Sequence, residues 1–588
     1  MSPAELYTKE ERKTNGIFYT PKFLAQYLAK KILYYWEDTN RSSVESILDP
    51  ACGDSMLLRS FLTEFTTLDN ATTNLSIIGV DKDVNAVISS EQQFNFEHYS
   101  RFNRHFINTD GLFPSNEFSS INGWQSLRRQ VGYENGVDIV LSNPPWGADM
   151  TEYDSNQLST NFQLAKGQFD IYNLFIEVTL NNLREDGLYG FILPDSVFSQ
   201  EQARLRLLLA DTTTILLIAR LGEKIFPEIN RACVIVIGQK RRAAPEHVVN
   251  CFRLSPDFKK SVLTNKLTLE QVEQALAHEV PQKRFLENSG NVFDIDLRVS
   301  EHNIFDKIQS SGTVLSSVIN NTRGAEISKN GLVCQCPDCS KWMPYPKSKN
   351  PKCNHCGTFV DLNQIVQEHI IHINQGLGNK ALKVGEDLYR YTSRTKSWID
   401  TDKDGINYKS LSIYNGDKIL VRKTGIGITA SIDYQNSIVN QVVYILKLKS
   451  EVSRNLTLEF VLAVLNSRAM TYYLLKKYGE NEWKSHPYLT QTMLINLPFP
   501  KLNPNLSKHT SLIKEITEII KSEVANSKEK NISKQSDLRI ERAVAYFFKL
   551  NKKDYNTILE TLNSTDPLIP IKRLLNCSSD EIFEVNGI

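Results

Sequence analysis

At 588 residues the chain is too long for a single core and divides into about three or four domains. With 41% hydrophobic and 23% charged residues it belongs among ordinary folded proteins, and no run approaches the ~20 apolar residues of a membrane span. The opening Met1-Ser2-Pro3-Ala4-Glu5 lacks the basic and apolar regions of a signal peptide, so a cytoplasmic location without a membrane partner is expected.

Over residues 1–245, apolar strand-like runs alternate with helical stretches: 46–48, 76–80, 138–141, 188–193, 215–220 and 232–237. Such alternation predicts an α/β domain whose mostly parallel sheet carries helices on both faces, with ligands beyond the carboxyl ends of the strands. After Lys240-Arg241-Arg242 a connecting segment, 246–309, holds one amphipathic helix near 269–278 that Thr268 can cap. Residues 310–503 read as strand- and loop-rich, and 504–588 as a helical C-terminal region with helices around 512–524 and 537–549.

The first strand runs into Asp49-Pro50-Ala51-Cys52-Gly53 and then a helix beginning near Ser55. A glycine there lets the backbone approach a ligand, and the helix N-terminus offers N–H groups to a carboxylate. The second strand ends at Asp81, which can accept hydrogen bonds from two ribose hydroxyls or, alternatively, cap the next helix, as Asp83 also could. A third acid, Asp110, can accept from an adenine amino group, with Leu112 or Phe113 against the ring. Three acids at successive turns of one sheet edge suit a nucleoside.

Asp138-Ile139-Val140-Leu141-Ser142 then leads into Asn143-Pro144-Pro145-Trp146. An aromatic exocyclic amine is a poor nucleophile because its lone pair is delocalised into the ring. The Asn143 side-chain oxygen and the Pro144 carbonyl are two acceptors for its protons, held on a stiff Pro144-Pro145 backbone, and Trp146 offers a face for the base.

Five of nine cysteines fall between Cys334 and Cys356. Cys336-Pro337-Asp338-Cys339 and Cys353-Asn354-His355-Cys356 are paired two-residue spacings that predict a structural Zn2+ in a ribbon at 332–360, with Cys334 and His355 as substitute ligands. Between them Lys341, Lys347 and Lys349 are interleaved with Trp342 and Tyr345, and residues 341–430 carry 14 Lys and Arg against 8 Asp and Glu. That mixture suits a nucleic-acid surface, and equally the packing of a minidomain.

In order, Gly16-Ile17-Phe18-Tyr19-Thr20-Pro21, Asp49–Gly53 and Asn143–Trp146 resemble the gamma class of N6-adenine DNA methyltransferases, in its TaqI-like branch. The resemblance implies a Rossmann-like class I methyltransferase sheet followed by a target-recognition domain at 310–503. It implies S-adenosyl-L-methionine as methyl donor, with Tyr19, Thr20, Asp49, Ala51, Gly53, Asp81, Asp110, Leu112 and Asn143 around it. Asp170-Ile171-Tyr172-Asn173-Leu174-Phe175 and Gly190–Pro194 resemble further family stretches, and Phe226 matches the clamp for a flipped adenine opposite Trp146. Asn143, Pro144, Pro145, Trp146 and Phe226 then form the reactive set. Arg323–Glu326, Lys418–Gly425, Leu465–Ser467 and His486–Thr490 resemble parts of the recognition domain, with Arg422, Lys423, Thr424 and Lys347 the expected DNA contacts. One position departs from the pattern: Ser55 stands where a second glycine is usual, which requires a negative φ there.

The partner implied is double-stranded DNA in a bacterial or archaeal nucleoid, within a restriction-modification or related defence system. Only about 15 residues precede the first family element, so any restriction endonuclease partner is expected to be a separate chain. Alternatives are a methyltransferase acting on RNA or on protein glutamine, whose tetrads are similar, and a catalytically silent DNA-binding protein.

Overall fold

A computed structural model describes residues 20–585 apart from 41–42, 68–73, 96–100, 228–230, 329, 347, 349–350, 363–364, 453–454, 480–487, 527–530 and 565–571. Two compact units divide the chain, 1–299 and 300–588. Among the described residues no helix is long and apolar enough to cross a membrane.

In the first unit, nine strands form one sheet: β1 Ser46–Asp49, β2 Ser76–Asp81, β3 Asn103–Asn108, β4 Val137–Ser142, β5 Leu183–Pro194, β6 Thr214–Gly222, β7 Cys233–Gln239, β8 Val248–Arg253 and β9 His278–Pro281. Their spatial order is β3-β2-β1-β4-β5-β7-β6-β8-β9. β7 and β9 run against the other seven. The central strands β1 and β4 are buried along their whole length, as the continuous apolar runs require. The helices Lys22–Asn40, Met56–Phe65 and Ile171–Asn182 bury Leu28, Phe61 and Ile176 in the same core.

The expected α/β fold is therefore present, but its sheet does not end near 245. The segment read as a connection supplies β8 and β9, and its helix, Leu269–Leu276, carries a capping box in which Thr268 and Gln271 exchange hydrogen bonds. β3 escaped the strand reading because Asn103-Arg104-His105-Phe106-Ile107-Asn108 is polar at an exposed sheet edge.

The second unit pairs β10 Gly312–Val314 with β22 Pro498–Pro500 and holds the sheet of β11 Ile319–Arg323, β21 Val443–Leu448, β18 Lys418–Arg422 and β19 Ala430–Asp433, in that order. A smaller sheet joins β15 Ile371–His372, β17 Ser397–Ile399, β16 Lys380–Lys383 and β20 Ile438–Val439. The cysteine-rich module is a third, of β13 Trp342–Pro344, β12 Leu332–Gln335 and β14 Gln367–His369. Two helices missed in the sequence, Leu458–Asn466 and Arg468–Tyr478, are separated only by Ser467, whose side chain caps the second. Their apolar residues run on with no clear face, so periodicity did not separate them from buried strands. The C-terminal region is helical as expected, with Ser507–Asn526, Lys534–Phe547, Lys552–Ser564 and Ser579–Glu584.

Buried charge pins this unit together. Asp433, fully enclosed, meets Lys418 at 2.6 Å and Lys383 at 2.7 Å and accepts from the Ser437 amide. Burial raises its carboxyl, but the two lysines outweigh burial and bring it down to about 2. The pair contribution is thus present in full above the ordinary carboxylate range near pH 4 and lost as pH falls toward 2. Replacing Asp433 by Asn leaves two buried ammonium groups facing each other and is expected to destabilise this unit by about 3–5 kcal/mol at pH 7. Urea melts check it: wild type and variant should differ clearly at pH 7 and converge near pH 2.

Candidate active site

The chain order of the sheet reverses between β1 and β4, so the loops leaving them splay apart and open a crevice at their carboxyl ends. A cavity of about 390 Å³ lies there. Pro50 to Asp54 line it from the loop after β1, Asp81 to Asp83 from β2, and Asp110 and Gly111 from β3. Asn143, Pro145, Ala148, Glu152 and Tyr153 follow β4, and Thr20, Ile171 and Phe175 complete the wall. Gly53, Asp81, Asp110 and Asn143, some ninety residues apart in sequence, share one space.

The loop after β1 is locked by its neighbours. The Cys52 amide donates to the Val80 carbonyl at 2.9 Å and the Gly53 amide to Asp81 Oδ2 at 2.8 Å. The other Asp81 oxygen accepts from the Asp83 amide. Asp83, not Asp81, caps the next helix, leaving Asp81 at the cavity wall. Burial raises the Asp81 carboxyl, against the lowering effect of those two amides.

Ser55 corrects an expectation. Its φ is +58°, the left-handed conformation, not the negative value a serine was expected to need. That geometry costs about 1–2 kcal/mol for a residue with a Cβ. The hydroxyl offsets part of it: Ser55 Oγ donates to Ser90 Oγ at 2.6 Å, and Ser90 Oγ donates to the Gly53 carbonyl at 3.1 Å.

Asp110 accepts from the Leu112 and Phe113 amides on one oxygen and from the Tyr153 hydroxyl on the other, at 2.7 Å. The ring contact expected of Leu112 or Phe113 comes from neither, since neither lines the cavity. Their side chains are buried in the core, because the turn that lets their amides reach Asp110 sends the side chains inward. Pro145, Tyr153, Ile171 and Phe175 supply the apolar walls instead. Tyr153, 43 residues after Asp110, belongs to a loop with no periodicity to mark it.

The Asn143 amide nitrogen donates to Thr20 Oγ1 at 3.0 Å, which turns the carboxamide oxygen into the acceptor end and joins the first family element to the tetrad. The Gly147 amide donates to both oxygens of Asp170, at 2.9 and 3.1 Å, and Arg231 Nη1 donates to the Trp146 carbonyl at 3.1 Å. Pro144 and Trp146 are buried and do not line the cavity. Trp146, 1% exposed, meets Phe226, 3% exposed, edge to face with centroids 5.2 Å apart and planes at 77°. The expected pair is adjacent, but the rings fill each other's space and leave no open slot for a base. Tyr19 and Lys347 lie outside the described residues.

In the second unit, Arg422 is the last residue of β18, and Lys423 and Thr424 follow it on the loop to β19. Thr424 is exposed, and Arg422 Nε donates to its hydroxyl at 3.4 Å. Partial burial and the charge of Arg323 lower the Lys423 ammonium, a mark of clustered cations. The sulfurs of Cys336, Cys339, Cys353 and Cys356 all lie within 4.8 Å of one another. Cys336 and Cys356 are 3.7 Å apart, as are Cys339 and Cys353. A tetrahedron with ~2.3 Å metal–sulfur bonds has edges of about 3.8 Å, so this donor set fits zinc. Cys334 is instead buried in the module's small core, and His355 Nε2 sits 3.3 Å from the Trp342 carbonyl.

Comparison with known proteins places this architecture. Residues 4–303 match the N-6 DNA Methylase family and residues 380–499 the TaqI-like C-terminal specificity domain. The modification methylase CviBIII of Paramecium bursaria Chlorella virus NC1A is 24% identical over 232 residues, 39% of this chain and 51% of that protein. The type II methyltransferase M.VspI of Vibrio sp. (strain 343) is 23% identical over 306 residues, 51% of this chain and 62% of its own length. The chain thus spans about half to three-fifths of these curated relatives. The type IIL restriction-modification enzyme MmeI, solved in complex with DNA, shares the fold at 12% identity and a TM-score of 0.56, covering 100% of this chain and 81% of that one. With its family match extending over half its length and a specificity domain following, the chain belongs to the N-6 DNA methylase family.

Proposed function

We propose that the chain transfers a methyl group from S-adenosyl-L-methionine to N6 of an adenine swung out of duplex DNA, as the modification component of a restriction-modification system. The observation that carries this reading is the convergence of Asp81, Asp110 and Asn143 on one 390 Å³ cavity at the sheet's switch point. The cavity fits the donor: carboxylates for ribose and purine, apolar walls for the ring, and an acid excess for a cationic ligand. Asp81 would hold the ribose hydroxyls, Asp110 the purine amine, and Asp49, Ala51, Gly53 and Thr20 the methionyl end. When bound, the donor supplies an electrophilic methyl on a sulfonium.

The chain's own residues prepare the nucleophile. The Asn143 carboxamide oxygen and the Pro144 carbonyl accept the two amine protons, favouring a pyramidal nitrogen whose lone pair faces the methyl. Thr20 fixes which end of the carboxamide faces the base, while Asp170 and Arg231 brace the turn that carries it. The Trp146–Phe226 contact must part for the base to stack. Zinc on the four cysteines would serve structure, since all four positions are protein ligands. Arg422, Lys423 and Thr424 would contact the duplex.

Sequencing genomic DNA with modification detection, from cells expressing the chain, tests the reading: methyladenine at one short motif is expected, and methylcytosine or no mark would overturn it. Methylation of RNA or protein glutamine by the purified chain, with no DNA mark, would favour the alternative substrates.

The buried Asp49 gives a second test. Burial, the largest influence, and the nearby Asp81 push its carboxyl up to about 8. Near neutral pH it is therefore protonated, and a cationic ligand beside it favours the ionised form. Binding should release protons below pH 8, so affinity rises with pH up to about 8 and then levels off. Calorimetry from pH 6.5 to 8.5, in buffers of different ionisation enthalpy, should show that slope reduced in Asp49→Asn. Equal slopes in the two proteins would exclude Asp49 from the ligand's field.

A further inference from the structure

We propose that the tip formed by residues 373–377 of the second unit inserts Ile373 and Leu377 into the base stack of duplex DNA, buttressed by the four-cysteine module. The proposal rests on the reading of the chain as a DNA methyltransferase, and it concerns how the duplex is opened, not the chemistry.

Ile373 is 84% exposed and Leu377 63% exposed, the first among the barest large apolar side chains of the chain. Both sit where the chain leaves β15 and returns as β16, each paired to the same strand, β17. The tip is held, not loose. The Asn379 amide donates to the Ile399 carbonyl at 3.1 Å, its side chain donates to Asp402 at 2.9 Å and accepts from the Thr401 amide, and Leu377 N donates to the Asn374 carbonyl. Gly378 packs so close to Trp398 that a Cβ there would lie 2.7 Å from its backbone.

The module stands directly behind this base. Its last strand, β14, continues through Ile370 into β15, and Ile370 donates to the Gly331 carbonyl at 3.0 Å. The Trp342 amide donates to the Asp404 carbonyl at 2.7 Å, and Lys403 lies 4.5 Å from the Trp342 ring centroid. The strap that fixes Asn379, residues 399–404, is thus tied to the cysteine module.

Why DNA, and why between bases? Two aliphatic side chains on a single narrow tip cover far too little area for a stable protein interface, which needs ~800 Å² per partner. Residues 369–385 contain no Asp or Glu, and Asp402, the acid beside them, is set at the base of the tip, where its carboxylate accepts from the Asn379 side chain; the tip itself carries no charge to oppose a phosphate backbone. Exposed Asn374 and Gln375 beside the isoleucine carry the amide groups suited to base edges. Apolar wedges are the residues proteins drive between base steps to unstack them, and an enzyme that extrudes its target base must offset that unstacking.

The test uses Ile373→Ser/Leu377→Ser, both at exposed positions where the fold does not depend on them. Two duplexes carry the motif found by modification sequencing: one intact, one with an abasic site opposite the target adenine. The variant should methylate the intact duplex at least ~10-fold more slowly than wild type, yet the abasic-opposed duplex within about 3-fold, with cofactor affinity unchanged. Equal loss on both duplexes, or no loss on either, overturns the wedge. A change in sedimentation with methylation unaltered would mark the tip as a protein contact, and also overturns it. If wild type methylates neither duplex, the parent reading fails and the wedge with it.

Discussion

Replacing Asn143 by Ala is expected to slow methyl transfer by about 10²–10³-fold while changing cofactor affinity only a few-fold. The separation follows from where the bonds lie. Gly53, Asp81 and Asp110 are held by amides of their own loops and by Tyr153, none of which involves Asn143. The Asn143 carboxamide is anchored by Thr20 and, in the proposed reaction, meets the amine only as its nitrogen turns pyramidal. Thr20→Val should then give a milder loss, because the carboxamide stays but either end can face the base. Single-turnover methylation beside calorimetric cofactor binding measures both. A parallel fall in rate and affinity for Asn143→Ala would make the residue part of the donor pocket instead of the amine's acceptor.

Much of this cavity was visible in the sequence because its parts sit at strand ends. An apolar run that stops at an acid or an asparagine states both the element and the side chain at its tip, as at Asp49, Asp81 and Asn143. The turn after the strand does not announce where the following side chains go. Leu112 and Phe113 stand two and three residues after Asp110, so one or the other is expected against the ligand, yet their amides serve the acid and their side chains serve the core. Tyr153 closes over the same acid from a loop reached only through the fold. Ser55 shows a different limit: sterics alone argue against a left-handed serine, and the bonds that offset part of the cost, to buried Ser90 and to the Cys52 carbonyl, exist only in the fold. The sheet after β7 is hard to read because β9 is four residues long and the short apolar run of β8 is interrupted by Asn250 and ends on Arg253.

Removing one thiolate from the cysteine cluster, as in Cys353→Ser, is expected to unfold the module and abolish duplex methylation while leaving cofactor binding intact. The core behind the sulfurs is Cys334, Met343 and Val360 with half-buried Tyr345 and Ile365, while Val333 and Trp342 pack into the neighbouring core; few apolar groups are left to order the segment that carries the sulfurs. Metal affinity there supplies the folding energy: structural zinc in small domains is worth about 10–16 kcal/mol in apparent terms near neutral pH, far above what a few buried side chains offer. Loss of the module also releases the Trp342–Asp404 tie and with it the strap at the base of the exposed tip. Wild type should therefore carry one zinc ion per chain, and Cys353→Ser should carry none and be cleaved by protease within residues 332–369. A variant without metal that resists protease and methylates duplex DNA like wild type would show that the four sulfurs are held by the surrounding fold alone, because a segment ordered without its ion has no need of that energy.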